Sequence, residues 1–307
     1  MTLPFYKMQL AGNGFILVDL NALEAGKTGP SASNTETFEP DDFGQAARIL
    51  CSRKFGVGAN GVIFLAENNT IRIFSPRGKP VYPADDAILC AARFAFDTGR
   101  VASGRIEFST IRGPLSLDVL GAHQFRLALG SPFSLLNGAL IGKDCNKLVE
   151  TITHEGAEIG CSAVHIRQDV VTAFPRSLGT LDFTGFSALV HQAFPDKTII
   201  PVIAHSITAD TIILKTRPRL ESAVCASAAA ALVTAVCSGL SDHEILVMFE
   251  TPGTDGQPDA IIAQDRDNTS RLAARWDTEE NELFVVGSGG YVFEGKFDLH
   301  TTSAADQ

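Results

Sequence analysis

Cysteine pairs at CxxC spacing, an excess of basic residues and a long apolar run are all absent from this 307-residue sequence. The six cysteines are scattered singly, which argues against both a disulfide framework and a zinc site. We therefore expect six unpaired thiols and a reducing compartment. Lys and Arg number 25 against 35 Asp and Glu, so no polyanion-binding face and no nucleic-acid partner are expected.

Membrane and export signals are also missing. No basic region followed by an apolar stretch is present near the start, so we expect no secretion signal and a cytoplasmic location. The stretch from Ala223 to Leu240 is uncharged but rich in Ala and Ser, whereas a spanning helix needs about 20 predominantly apolar residues. We expect no membrane partner. Seven histidines stand singly without HxxxH or HExxH spacing, so no metal site is expected.

Apolar residues make up 45% of the chain and charged residues 20%, which is a composition typical of a globular protein with a large core. Short runs rich in β-branched and aromatic residues predict most of the structure as strands. These runs lie at 15–18, 61–65, 71–74, 105–108, 115–117, 198–200, 211–215, 245–248, 260–262 and 283–286. The Gly-, Ser-, Thr-, Asn- and Pro-rich segment 24–42 predicts a surface loop.

Apolar periodicity predicts four or five helices, of which four can be placed, and these are of two kinds. Those at 42–53 and 181–194 are amphipathic surface helices. Those at 84–98 and 225–239 are apolar nearly all round and must be enclosed by protein, each by its own strands. The two enclosed helices start about 140 residues apart, close to half of the chain, which indicates a two-fold internal repeat.

Four motifs in order carry a resemblance to a known family. Lys7–Phe15 is similar to KMHGLGNDF, and Leu50–Gly61 is similar to LCDRHFGVGADG. Later, Phe194-Pro195 resembles the start of FPERTN, and Arg217–Ala231 resembles ERGxGETxACGTGACA. The chain therefore resembles, nearly end to end, the diaminopimelate epimerases and their relatives among cofactor-independent amino-acid racemases.

The resemblance implies an α/β (α+β) fold of two pseudo-symmetric domains, each a curled, mostly antiparallel sheet around a central buried helix. It implies one domain at 1–128 plus 289–307 and a second at 129–288. A small amino-acid-like ligand would bind between the two helix N-termini, without a cofactor, in a protein that often forms homodimers. It also implies isomerase activity in lysine and peptidoglycan precursor synthesis, with two cysteines that remove and return a proton on opposite faces of the α-carbon.

The first of those cysteines is missing. The alignment places Ala84 at its position, followed by Asp85 and Asp86, and places Cys90 on a structural cysteine six residues later. Six residues along a helix turn about 240° and rise about 9 Å, so Cys90 should lie in the core. Asp85 and Asp86 have two interpretations. They are either favourable residues for the start of a helix, or they indicate an altered specificity toward a cationic group.

The second half of the pattern is better preserved. Cys225 stands on the second base, and four residues match substrate-binding positions: Asn13, Arg217, Glu221 and Ser227. Ala226, however, replaces a glycine where backbone should approach a ligand. Cys161 stands at another expected ligand contact.

Three functions follow from this pattern. The leading one is a non-catalytic or repurposed relative that has lost two-thiol epimerisation. The second is a one-base isomerase or tautomerase that uses Cys225. The third is an amino-acid epimerase with an atypical first base, Asp85 or Asp86, although a carboxylate is a poor match for a weakly acidic α-proton.

Overall fold

A computed structural model describes residues 2–25, 42–82, 84–101, 103–142, 145, 148, 150–154, 157–175, 181–195, 197–216, 223–249 and 271–299. The chain is a mixed α/β protein with mostly antiparallel sheets and few helices. It divides into two compact units, Met1–Val119 with Gly289–Gln307 (unit 1) and Leu120–Ser288 (unit 2).

Unit 1 is built on a five-stranded sheet. Its elements are β1 (Thr2–Leu10), β2 (Asn13–Asp19), α1 (Leu20–Ala25), α2 (Asp42–Cys51), β3 (Gly61–Leu65), β4 (Ile71–Phe74), α3 (Asp85–Asp97), β5 (Gly104–Thr110), β6 (Gly113–Gly121) and the last strand, β17 (Gly290–Asp298). The sheet order is β17-β1-β2-β3-β4, in which only β2 and β3 pair in parallel. Strands β5 and β6 pair antiparallel with each other.

A tight turn places the first residue of β2. Ala11 and Gly12 join β1 to β2, and both have positive φ, 46° and 81°. That geometry is the one that two-residue hairpins need, and Gly adopts it without strain. The turn leaves Asn13 as the first residue of β2, opposite Leu10 of β1 and fully buried.

Helix α3 lies in the core of unit 1. It packs against β1, β2 and β3, and every residue from Asp85 to Ala92 is buried. Helix α2 covers β3 and β4 with its apolar face, so Phe43 stacks on Phe74 and meets Phe64 edge to face.

Unit 2 holds the remaining elements. They are β7 (Gln124–Gly130), β8 (Phe133–Ser134), β9 (Glu150–His154), β10 (Ala157–Ile166), β11 (Gln168–Ala173), α4 (Phe183–Ala193), β12 (Ile199–Thr208), β13 (Thr211–Lys215), α5 (Ala223–Cys237), β14 (Glu244–Phe249), β15 (Arg271–Asp277) and β16 (Glu282–Gly287). The strand order is β7-β16-β15-β14-β13-β12-β11-β10-β8, and β9 pairs with β10. Only the β11–β12 and β13–β14 pairs are parallel.

Helix α5 is the enclosed helix of unit 2. It packs against β10, β11, β12, β14, β15 and β16, and residues 224–235 are all buried. The enclosure of the two apolar helices is therefore confirmed. Helix α5 begins and ends two residues earlier than the apolar pattern predicts. The curling of the sheets stays a prediction.

The expectation of six unpaired cysteines is wrong. Cys145 and Cys237 form a disulfide, with their Cα atoms 5.2 Å apart across 92 residues of sequence. Such a pair has no local spacing signature, because the fold alone brings the two residues together. Four buried cysteines lie outside the disulfide, Cys51, Cys90, Cys161 and Cys225.

Most of the predicted strands and all four helices are confirmed within an offset of a few residues. The strand at 260–262 lies outside the described residues, as does the predicted loop beyond residue 25, whose start belongs to α1. Several strands were not predicted from the sequence, above all β1 and β17. No helix in the described part of the chain has the length and apolarity needed to cross a bilayer.

Candidate functional site

The start of α3 carries carboxylates instead of a thiol. Ala84 is the N-cap residue and its side chain makes no capping hydrogen bond. Asp85 and Asp86 form the first turn and both are fully buried. Their charge complements the free N–H groups and partial positive charge at a helix start. The protein therefore supplies its own anionic groups at this helix end.

Asn13 is held by that same helix start. Its amide Nδ2 donates to Asp86 Oδ2 at 2.7 Å, and its Oδ1 accepts from Asn60 Nδ2 at 2.8 Å. Asn60 Oδ1 in turn accepts from the Arg53 guanidinium at 3.3 Å. A chain of three hydrogen bonds thus runs from the exposed Arg53 to the buried Asp86. Both polar groups of Asn13, a residue expected to bind substrate, have protein partners.

Cys90 lies in the core of unit 1, as helix geometry predicted. It is fully buried, and burial raises the pKa of its thiol well above the usual range, with a further rise from Asp86. Gly289 packs directly on it, since a Cβ at that position would lie 2.6 Å from Cys90 Sγ. A thiol enclosed and neutral in this way cannot take part in proton transfer with a ligand.

The start of α5 is different, because it has no acidic residue in its first turn. Cys225 is its third residue and is buried, and Ala226 and Ala228 beside it are buried too. Ser227 is also fully buried, and its Oγ has no hydrogen-bond partner among the described residues. Arg217 and Glu221, which the sequence placed at the same site, lie outside the described residues.

Cys161 lines a small apolar cavity in unit 2. The cavity has a volume of about 280 Å³ and is otherwise lined by β11, by the last part of α4, including Val190, and by Phe194 just after that helix. Burial raises the pKa of Cys161 to about 11, and Glu150 adds to the rise. At neutral pH the thiol is therefore protonated, which suits packing better than catalysis.

Metal ligation finds no support in the part of the chain that the structure describes. There, His, Cys, Asp and Glu side chains do not gather in a group of three.

Arg53 and Asn60 were not identified as site residues from the sequence. The signal was present in the second motif, where Ser52 and Asn60 each stand in place of an Asp.

Comparison with known proteins places the chain among distant relatives. No family model matches it. A diaminopimelate epimerase of Pelotomaculum thermopropionicum is 28% identical over 97% of this chain and 99% of its own length. The diaminopimelate epimerase of Desulforapulum autotrophicum is 25% identical over 97% of this chain and 100% of its own.

The fold is shared with solved structures at lower identity. A phenazine biosynthesis protein of the PhzF family from Bacillus anthracis superposes with a TM-score of 0.62 at 13% identity, over 97% of this chain and 100% of its own. The chain thus has a diaminopimelate-epimerase/PhzF-like fold. At about 25% identity it is a relative of the cofactor-independent epimerases, and the resemblance found in its motifs is confirmed at this level.

Proposed function

We propose that this chain is a non-catalytic relative of the cofactor-independent epimerases, one that has lost two-thiol epimerisation. The observation that carries the proposal is the buried Asn13–Asp86 hydrogen bond at the start of α3. It joins a residue expected to hold substrate to a carboxylate that stands beside the position of the missing base.

Inverting a stereocentre requires one group to remove the α-proton and another to deliver a proton to the opposite face. Ala84 offers only a methyl group at the position of the first base. Cys90 is six residues farther along α3, fully buried, and has a pKa raised by that burial. Neither residue can replace the thiol.

Asp86 is also a poor replacement. Its Oδ2 already accepts the Asn13 amide, and the side chain is fully buried. An oxygen that is enclosed by protein and bonded to a protein amide is badly placed to take a proton from a ligand. The α-proton of an amino acid is also very weakly acidic, so a carboxylate is badly matched to remove it. Both points oppose Asp86 as an atypical first base, and the second applies equally to Asp85.

A second candidate is a one-base isomerase that uses Cys225. The observation in its favour is the position of Cys225 in the first turn of α5, where the helix N-terminus stabilises a thiolate. Ser227, two residues later, adds a buried hydroxyl without a partner among the described residues. One base suffices for a tautomerisation or a double-bond shift on one face of a substrate.

Deuterium wash-in tests the proposal. The full chain is incubated in deuterated water with LL-diaminopimelate and a panel of amino acids, and label at the α-carbon is measured by mass spectrometry. The diaminopimelate epimerase of Pelotomaculum thermopropionicum serves as the positive control. We expect no label in any substrate with this chain, although the control becomes labelled.

Two variants separate the alternatives. Cys225→Ser removes the retained thiol, and Cys90→Ser, on α3, controls for the loss of any buried thiol. Label without inversion of the stereocentre, lost in Cys225→Ser and kept in Cys90→Ser, would establish the one-base isomerase, whereas label with inversion would establish an epimerase. Label that survives in both variants would reveal a base elsewhere and would overturn the proposal.

A further inference from the structure

A polar cavity of about 500 Å³ lies within unit 1. Strand β1, the turn before β2 and the segment after α2 form its walls. Two cations, Lys7 and Arg53, line it together with the amides of Gln9 and Asn60. Its volume falls within the range of about 300–1,000 Å³ that is typical of small-molecule sites.

Neither cation has an acidic partner among the described residues. Lys7 Nζ donates to the backbone carbonyl of Gly58, and Arg53 donates to Asn60 Oδ1 at 3.3 Å. The ion pairs of unit 1 in the described residues involve other arginines, such as Arg93 and Arg100. In a chain with ten more acidic than basic residues, two cations that share a cavity without a carboxylate form an uncompensated positive site.

The sequence around the cavity has lost negative charge relative to the motif that it resembles. Where LCDRHFGVGADG has aspartates before its arginine and before its last glycine, this chain has Ser52 and Asn60. Asn60 accepts a hydrogen bond from Arg53 but does not neutralise its charge. The two changes add positive potential to the same surface.

Glycines give the cations their positions. A Cβ at Gly14 would lie 3.2 Å from Lys7 Nζ, so the ammonium group occupies the space that a side chain would take. Gly58 has φ of +79°, and a Cβ there would lie 3.4 Å from the Arg53 Cα. The loop therefore folds tightly against the base of Arg53 while presenting its carbonyl to Lys7.

The pKa of Lys7 reflects both its burial and the nearby Arg53. Burial lowers the pKa of Lys7 from its usual value, Cys51 acts in the opposite direction, and Arg53 lowers the pKa further. An anion between the two cations would stabilise both of them.

We infer that this cavity binds a small dianion that carries carboxylate or phosphate oxygens, with Arg53 and Lys7 as its charged contacts. Arginine presents a planar fork that pairs with either oxyanion, and lysine adds a point charge. The side chains of Asn60 and Gln9 line the same cavity. The inference does not rest on the proposed function, although Asn60 links the cavity through Asn13 to Asp86 at the start of α3.

Isothermal titration at low ionic strength tests the inference on the full chain, with inorganic phosphate, succinate and the neutral analogue succinamide as probes. We expect phosphate or succinate to bind and succinamide not to bind. Binding of phosphate alone would assign a phosphorylated ligand, and binding of succinate alone would assign a dicarboxylate. Failure of both anions to bind would overturn the inference.

Single variants locate the site. Arg53→Gln and Lys7→Gln should each weaken binding about tenfold or more, because each removes a charge-assisted contact. Lys54→Gln is the matched control, since Lys54 is exposed on the same loop and does not line the cavity. An equal loss in Lys54→Gln would show non-specific attraction and would contradict the site.

Asn60→Asp is a variant that removes no cation. It restores a carboxylate beside Arg53 and should abolish anion binding by occupying the guanidinium. Thermal unfolding of every variant verifies that the fold is kept. If Lys7→Gln fails to fold, the comparison of Arg53→Gln with Lys54→Gln decides the outcome, because both residues are exposed. Undiminished binding in both Arg53→Gln and Asn60→Asp would contradict the inference.

Discussion

Helices α3 and α5 are the two enclosed helices of the chain, one in each unit, and they begin in opposite ways. Helix α3 begins with two buried carboxylates, one of which is bonded to Asn13. Helix α5 begins without an acidic residue and keeps a thiol in its first turn. The difference shows that the positive end of a buried helix can be satisfied by side chains of the protein itself, and such an end has less capacity left for a ligand.

The other ends of the two helices also differ. Helix α3 ends in an ion pair between Arg93 and Asp97 at 2.5 Å, and Arg93 also lies over the Tyr291 ring. Helix α5 ends at Cys237, which is covalently tied to Cys145. The two helices therefore depend on different forces, and perturbations should separate them.

Loss of the disulfide should produce the largest effect. In Cys145→Ser/Cys237→Ser the free energy of unfolding should fall by about 3–4 kcal/mol, because a cross-link over a long loop restricts the unfolded chain. Urea denaturation measures the change. Hydrogen exchange should show faster opening in α5 and little change in α3.

A reducing agent should destabilise the parent chain in the same way and should leave the double serine variant unaffected. If the parent and the double variant unfold alike without reductant, the cross-link contributes nothing, and the difference between the two helix ends would disappear.

The Asn13–Asp86 bond should have the next largest effect. Asn13→Ala removes the amide that Asn13 donates to the buried Asp86 carboxylate, which should cost about 2–3 kcal/mol of unfolding free energy. Urea denaturation checks this value. Adding Asp86→Asn should recover part of the loss, because a neutral amide is less costly to bury than a carboxylate. Additive effects of the two substitutions would argue that the bond does not stabilise α3.

Substitution of Ser227 should stabilise the protein instead of destabilising it. Ser227→Ala removes a buried hydroxyl that has no partner among the described residues. The free energy of unfolding should therefore rise by up to about 1 kcal/mol, as measured by urea denaturation. Thr234→Ala, on the same helix, is the matched control and should destabilise, because Thr234 donates to the Ala230 carbonyl and contacts Ser162 Oγ at 2.5 Å. Destabilisation in Ser227→Ala would point to a partner for Ser227 and to a more polar start of α5.

Placing a thiol at the start of α3, as at the start of α5, should have the smallest effect of these substitutions. Ala84→Cys places a thiol at the N-cap of α3, but Asp85 and Asp86 remain beside it and Asn13 stays bonded to Asp86. We expect no epimerisation of LL-diaminopimelate above that of the parent chain. Substantial activity would mean that the α3 start can still accept a ligand.

Local patterns predicted the enclosed helices well, because a helix that is apolar on all sides must be buried. They did not predict β1 and β17, which pair across nearly the whole chain, from Thr2 opposite Asp298 to Gln9 opposite Gly290. Pairing between distant segments leaves no spacing signature in a single sequence. The Cys145–Cys237 disulfide was missed for the same reason.

The site was predicted in part. Helix geometry alone placed Cys90 in the core, and the alignment identified Ala84 and Cys225 as unequal helix starts. The hydrogen bond from Asn13 to Asp86 spans 73 residues and depends on the turn that ends β1, so no local reasoning could supply it. The loss of aspartates near Arg53 was visible in the motif. The sequence alone could not show that Arg53 and Lys7 line one cavity, because the fold brings them together.

Stereochemistry gives the most direct test of the central claim, that the start of α3 cannot supply a second base. LL-diaminopimelate is incubated with the chain at a concentration comparable to that of the substrate, and the meso form is quantified by chiral chromatography beside a working diaminopimelate epimerase. We predict that the substrate stays in the LL form while the working enzyme reaches equilibrium. Accumulation of the meso form with the parent chain would contradict it.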